Sequence, residues 1–237
     1  MIIESLYPEV GCLYGDLGNL AYLRRCLPQA RVISTRLNEE PAFVRQTVDL
    51  IYLGAMSPSG QAVVLDRLRA HRDRLRQLLA DDQTVVLLTG DALELVGGFI
   101  QHPDGSRLDA LGLFDFHAVW QTPSRHNSLI LADFGVSRIV GYTSRFSHSY
   151  PTGDFGHLFT VAKGIGLNPD TKLEGIRAGK LYATYLHGPL LVANPDFTKH
   201  ILGEVGVSSP RLPFETEVYR AYRRKLAEYE QPSLRLA

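Results

Sequence analysis

The sequence predicts an α/β fold, with a largely parallel central sheet, helices on both of its faces and a partly antiparallel second half. Three observations carry this. The runs at 48–53 and 84–89 are almost continuously apolar and each ends at a glycine, as strands buried on both faces of a parallel sheet do. Apolar runs alternate with segments of helical periodicity up to about residue 100, the order that βα units with right-handed crossovers require. Beyond Gly112 the apolar runs shorten and turn signals separate them, which marks antiparallel strands.

Taken in order, Ile2, Ile3 and Leu6 suggest a first strand. The Gly, Asp and Asn of LYGDLGN (13–19) suggest a loop that opens a helix from about Asn19 to Leu27, with Asp16 placed to cap it. The β-branched stretch 32–35 and the run 48–53 follow as strands, the second passing into a loop at Gly54. From Ser59 to Leu79, Val64, Leu65, Leu68, Leu75, Leu78 and Leu79 fall mostly at helical spacing, with five arginines around the other sides; a solvated helix face accounts for them. After the strand 84–89, Gly90 and Asp91 read as a tight turn and 92–100 as a helix. Strands are expected at 129–132, 139–142, 158–162 and 181–186, the last after a hairpin turn at Ala178-Gly179. Pro195 and Asp196 start a helix to about Ile201, and 215–230 reads as a charged C-terminal helix. No linker or repeat interrupts the chain, so residues 1–237 are expected to form a single domain.

Lys+Arg 25 balances Asp+Glu 25, which removes the field that draws a protein to nucleic acid or an anionic membrane. No apolar run is long enough to span a bilayer, and Met1 to Val10 lacks a basic leader and a cleavage site, so a cytoplasmic location is expected. Cys12 and Cys26 are too few for a disulfide framework or a four-cysteine zinc site. His148, His157, Arg145 and Asp154 match no compact ligand spacing, and LYGDLGN is not a dinucleotide fingerprint. No metal and no cofactor are expected.

Seven segments in family order, SLYPEVGCLYGDLGN (5–19), VDLIYLG (48–54), VVLLTGDALELVGG (85–98), LGLFDF (111–116), KGIGLN (163–168), LEGIRAG (173–179) and YLHGPLLVANPDF (185–197), resemble the CobB/CobQ-like branch of class I glutamine amidotransferases. The first and last are the specific ones. The resemblance implies a flavodoxin-like sheet and a site in which a cysteine on a strand-to-helix elbow attacks the side-chain amide of glutamine. A histidine accepts and returns the proton, backbone amides hold the oxyanion, and ammonia passes to a synthetase partner. Within that branch the likeness is to glutaminase subunits that serve a Mur-ligase-like (MurT-type) protein in amidating the glutamate of lipid II.

Carried over residue by residue, His187 is the base and Asp16 the acid that orients its imidazole. The family's elbow, roughly Cys-Gly-Gly-Tyr-Gln-Leu-Leu-Gly, falls on Gly90-Asp91-Ala92-Leu93-Glu94-Leu95-Val96-Gly97, so the nucleophile position is Gly90. The glycine-rich loop after the third strand is Gly54-Ala55-Met56, and Asp91 is expected to repel an oxyanion if it faces the pocket. Arg125 matches the position of a glutamine-binding arginine, and Thr143-Ser144-Arg145 replaces the family's Glu-Asn-His. The expectation is a glutaminase relative without glutaminase activity, kept as partner or regulator of the ligase. The alternatives are a hydrolase with a relocated nucleophile (Cys12, Thr89 or Asp91) acting with His187, and a pocket for glutamine or another small ligand.

Overall fold

A computed structural model describes residues 1–232 and residue 234. Strand β1 (Ile2–Leu6) leads through a loop into helix α1 (Leu17–Cys26), followed by β2 (Arg31–Thr35), a single turn α2 (Ala42–Arg45) and β3 (Leu50–Leu53). Helices α3 (Pro58–Arg69) and α4 (Arg72–Asp81) then lead to β4 (Val85–Thr89). Much later in the chain β13 (Ile176–Ala178) and β14 (Leu181–Thr184) complete a six-stranded sheet in the order β13-β14-β4-β3-β1-β2. Five strands run parallel and β13 closes the edge antiparallel to β14 through the two-residue turn Gly179-Lys180.

Alternation along the strands sorts their side chains onto the two faces. Ile51, Leu53, Val86 and Leu88 pack with Val64, Leu65 and Leu68 of α3 and with Leu75 and Leu78 of α4. Leu50, Tyr52, Val85 and Leu87 pack with Leu20 and Leu23 of α1 and with Phe197 and Ile201 of α6 (Pro195–Glu204), which follows the short α5 (Leu190–Ala193).

Between β4 and β13 lie two four-stranded sheets. One orders β10 (Ser147–Pro151), β7 (Phe116–Trp120), β5 (Phe99–Gln101) and β6 (Arg107–Asp109); the other orders β12 (Leu173–Glu174), β11 (Phe159–Lys163), β8 (His126–Phe134) and β9 (Ser137–Arg145). The β8–β9 hairpin carries the C-terminal helix α7 (Glu215–Glu230), whose Tyr222 and Tyr229 pack on Leu131 and Val140. No helix among the described residues is long and apolar enough to cross a membrane.

Two sequence expectations need correction. The helix expected over 59–79 is two helices, broken at Ala70-His71, where His71 has φ −111° and ψ 10°. One continuous helix would turn positions 71 and 72, three and four after Leu68, toward the core, and those positions are His and Arg. The helix expected over 92–100 is a 3₁₀ stretch, Gly90–Val96, followed by β5. Gly97 lies against Phe116 so closely that a Cβ there would meet its ring at 2.8 Å, and the Gly98 amide donates to the Phe116 carbonyl at 2.8 Å. Pairing with β7 therefore wins over helix. Strands β5, β6, β7, β10 and β12 carry little periodicity of their own and were not expected.

Candidate active site

In a parallel sheet ligands bind beyond the carboxyl ends of the strands, where the strand order reverses. Here β1 lies between β2 and β3, so the loops after β1 and β3 diverge and open a crevice. The turn after β4 and the segment after β14 complete its floor. Backbone bonds lock these loops to one another: Leu13 N donates to Ala55 O at 3.0 Å, Gly90 N to Leu186 O at 3.2 Å, and His187 N to Tyr142 O at 3.0 Å.

Asp16, fully buried, is the knot of this arrangement. Its Oδ2 accepts the Ala55 amide and the Thr89 hydroxyl (2.8 Å), and its Oδ1 accepts the Gly188 amide. Burial still pushes its carboxyl up to about 6, against the hydrogen bonds from Ala55, Thr89 and Gly188. The capping role suggested by sequence is absent, because the carboxylate makes no bond to the start of α1. Nor does it touch the imidazole; it reaches His187 only through the amide of the next residue. Gly54 stands behind the same knot: a Cβ would meet Gly11 O at 2.6 Å and Asp16 Cβ at 2.9 Å, so its role is close packing, outside the cavity lining.

His187 faces the cavity with only 4% of its surface exposed. Its Nε2 lies 3.0 Å from the Ser144 carbonyl, which can only accept, so Nε2 carries the proton and Nδ1 presents a lone pair. That Nδ1 is buried with no hydrogen-bond partner. Burial lowers the imidazole to about 4, with the Ser144 bond opposing and the charges of Arg145 and Arg125 adding, so the ring is neutral near pH 7. Tyr14, at φ 55°, stacks on it with centroids 4.3 Å apart.

Gly90 lies beside that ring. It adopts φ +64°, and a Cβ built on it would lie 2.9 Å from His187 Nδ1. Asp91 faces the cavity, as the sequence allowed, but its Oδ1 accepts the Met56 amide at 2.8 Å. Burial, then the nearby Glu94, pushes Asp91 well above the usual carboxylate range, so the expected charge repulsion is weakened while the Met56 amide is already engaged. Arg125 lies on the cavity rim, donates to Tyr14 Oη at 2.8 Å and stacks over Phe146 at 4.5 Å. The cavity volume is about 100 Å³, with Trp120 and Phe146 among its walls.

The relocated nucleophiles fare unevenly. Thr89 is fully buried and its hydroxyl is given to Asp16. Cys12 is half-buried with its thiol near Glu9 O, outside the cavity lining. Among the described residues no thiol lies within hydrogen-bonding reach of the imidazole.

Beneath the floor lies a polar cluster that sequence reasoning missed. Glu94, 1% exposed, accepts Gln61 Nε2 (2.8 Å), Tyr185 Oη (3.0 Å) and Ser147 Oγ, and the Arg145 guanidinium stacks over the Tyr185 ring at 3.6 Å. The available signal was a carboxylate inside the apolar run ALELV, which no amphipathic surface helix would bury.

Residues 3–195 match the family described as the CobB/CobQ-like glutamine amidotransferase domain. The chain is similar to the lipid II isoglutaminyl synthase (glutamine-hydrolyzing) subunit GatD of Staphylococcus aureus (strain N315), 29% identical over 205 residues that cover 86% of this chain and 83% of that protein. It is also similar to the subunit of the same name from Streptococcus pneumoniae (strain ATCC BAA-255 / R6), at 23% identity with coverage of 84% and 78%. Its fold matches a crystal structure of a glutamine amidotransferase with a TM-score of 0.58, at 13% identity and covering 86% of this chain and 99% of that one.

Proposed function

The chain belongs to the CobB/CobQ-like glutamine amidotransferase family, and from that premise we propose that it is a GatD-like, single-domain subunit without glutaminase activity. It works in the cytoplasm as partner or regulator of a Mur-ligase-like amide-forming enzyme in the amidation of a cell-wall precursor. What supports a partner role is that both relatives are named as GatD subunits of a glutamine-hydrolyzing lipid II isoglutaminyl synthase; the Mur-ligase-like class is what the resemblance of the seven segments implies.

One observation carries the loss of activity. A side chain on residue 90 would start 2.9 Å from the unpartnered Nδ1 of a neutral histidine, and residue 90 is glycine. Covalent glutaminase chemistry needs a nucleophile that gives its proton to that base and then bonds the carboxamide carbon; His187 alone forms no such bond. Met56 lines the same cavity, and its amide, a donor that a developing oxyanion would draw on, is taken by the Asp91 carboxyl.

The test is ammonia release from glutamine, measured for the chain alone and with its Mur-ligase-like neighbour co-expressed. The expected result is a stable complex with no release above background. Release that disappears in His187→Ala overturns the inactive assignment, and a chain that never co-purifies with the ligase overturns the partner role.

A further inference from the structure

We infer that Ala55 is a second determinant of the site's silence: its methyl group occupies the space that a side chain on residue 90 would need, so restoring a nucleophile takes two substitutions. This rests on the reading of residue 90 as the vacated nucleophile position.

A Cβ built on Gly90 meets two neighbours, and they differ in whether they can give way. The nearer is Ala55 Cβ, well inside van der Waals contact; the other is the His187 ring, with Nδ1 at 2.9 Å and Cε1 at 3.0 Å. An imidazole can turn about its side-chain torsions by a few tenths of an ångström. Ala55 has no such freedom, since its Cβ moves only with the backbone. That backbone is pinned at both ends: the amide donates to Asp16 Oδ2 and the carbonyl accepts Leu13 N at 3.0 Å. The residue is fully buried, and Gly54 before it is already closed against Gly11 and Asp16, so no backward shift is open to it. Removing the Ala55 methyl disturbs neither bond and leaves the His187 ring, which can turn, as the remaining close neighbour.

The experiment uses the full chain in a Cys12→Ser/Cys26→Ser background, so that a cysteine placed at residue 90 is the sole thiol. Gly90→Cys is compared with Gly90→Cys/Ala55→Gly for alkylation by iodoacetamide at pH 7, in which thiolate sulfur displaces iodide, and for thermal midpoint. The double variant is expected to alkylate at least ten times faster and to melt higher than the single one, and adding His187→Ala is expected to slow it again. A single variant that reacts as fast and melts as high as the double overturns the inference. If Gly90→Cys yields no folded protein, Gly90→Ala with and without Ala55→Gly decides it by soluble yield and melting: rescue by Ala55→Gly supports the inference, and absence of rescue overturns it. Glutamine turnover by the unaltered chain sinks the inactive reading but leaves the alkylation comparison standing, so the two fail separately.

Discussion

Two clusters share the carboxyl end of the six-stranded sheet and stand in opposite condition. Around Asp16 the carboxylate is matched by three donors, drawn from the loop after β3, the end of β4 and the segment after β14. Beside Gly90 the match is partial: among the described residues His187 Nδ1 has no partner, and the neighbouring residue has no side chain. The difference separates a polar group that holds elements together from one whose inward nitrogen holds nothing. Removing the first leaves several buried amides and hydroxyls without partners, which costs folding free energy; removing a nucleophile leaves the fold intact. A chain that stops catalysing can therefore lose the second kind and keep the first.

The largest expected break in this comparison is Asp16→Ala. It orphans the Ala55 and Gly188 amides in a fully buried setting and leaves the Thr89 hydroxyl only Tyr52 Oη, 3.0 Å away, and is expected to cost about 3 kcal/mol by urea unfolding. A cost near zero would mean the knot is not what joins the loops.

The two clusters should also answer pH with opposite signs. The folded-state value of Asp16, about 6, lies above its ordinary 3.8, so its contribution is full below about pH 4 and is lost as pH rises through 6. That of His187, about 4, lies below its ordinary 6.5, so its contribution is full above about pH 6.5 and is lost as pH falls through 4. Relative to the unaltered protein, Asp16→Asn is thus expected to recover stability as pH rises from about 4 to 6, and His187→Leu as pH falls from about 6.5 to 4. Each change is at most about 3 kcal/mol, read from chemical denaturation across the range. Slopes of the same sign would show that one of the two is not buried as described.

The smallest effect is at the rim. Arg125→Ala removes an exposed side chain whose partner is the Tyr14 hydroxyl, and is expected to change stability by less than about 0.5 kcal/mol. If the cavity takes an anionic ligand, the same substitution weakens binding in calorimetry while leaving the melting temperature unchanged.

Much of this was legible in the chain. The runs 48–53 and 84–89 became β3 and β4, buried along their whole length, because an apolar run bounded by glycine has few other places to go. Helix α7 falls on the residues its periodicity marked, 215–230. His187, Arg125 and Asp91 line one cavity, with Gly90 beside the imidazole and Asp16 behind it. Illegible were the short strands β5, β6, β7, β10 and β12, which are two to five residues long and exist by pairing, not by a pattern of their own, and the break at Ala70-His71, which depends on where the core lies. The Glu94 cluster was missed for the same reason: its partners Gln61, Ser147 and Tyr185 come from three other parts of the chain.

By itself, the sequence determined which segments are strands or helices wherever periodicity or apolar length is strong, and, through its seven segments, the family to which the chain belongs. Those are local properties, written in adjacent residues. Tertiary structure alone decided that Asp16 serves the Gly188 amide, 172 residues away, in place of an imidazole. It also decided that the Asp91 carboxyl takes the Met56 amide, and that the Ala55 methyl stands where a side chain on residue 90 would begin. Such assignments turn on fractions of an ångström between atoms that only the packed sheet brings together, and no spacing along the chain encodes them.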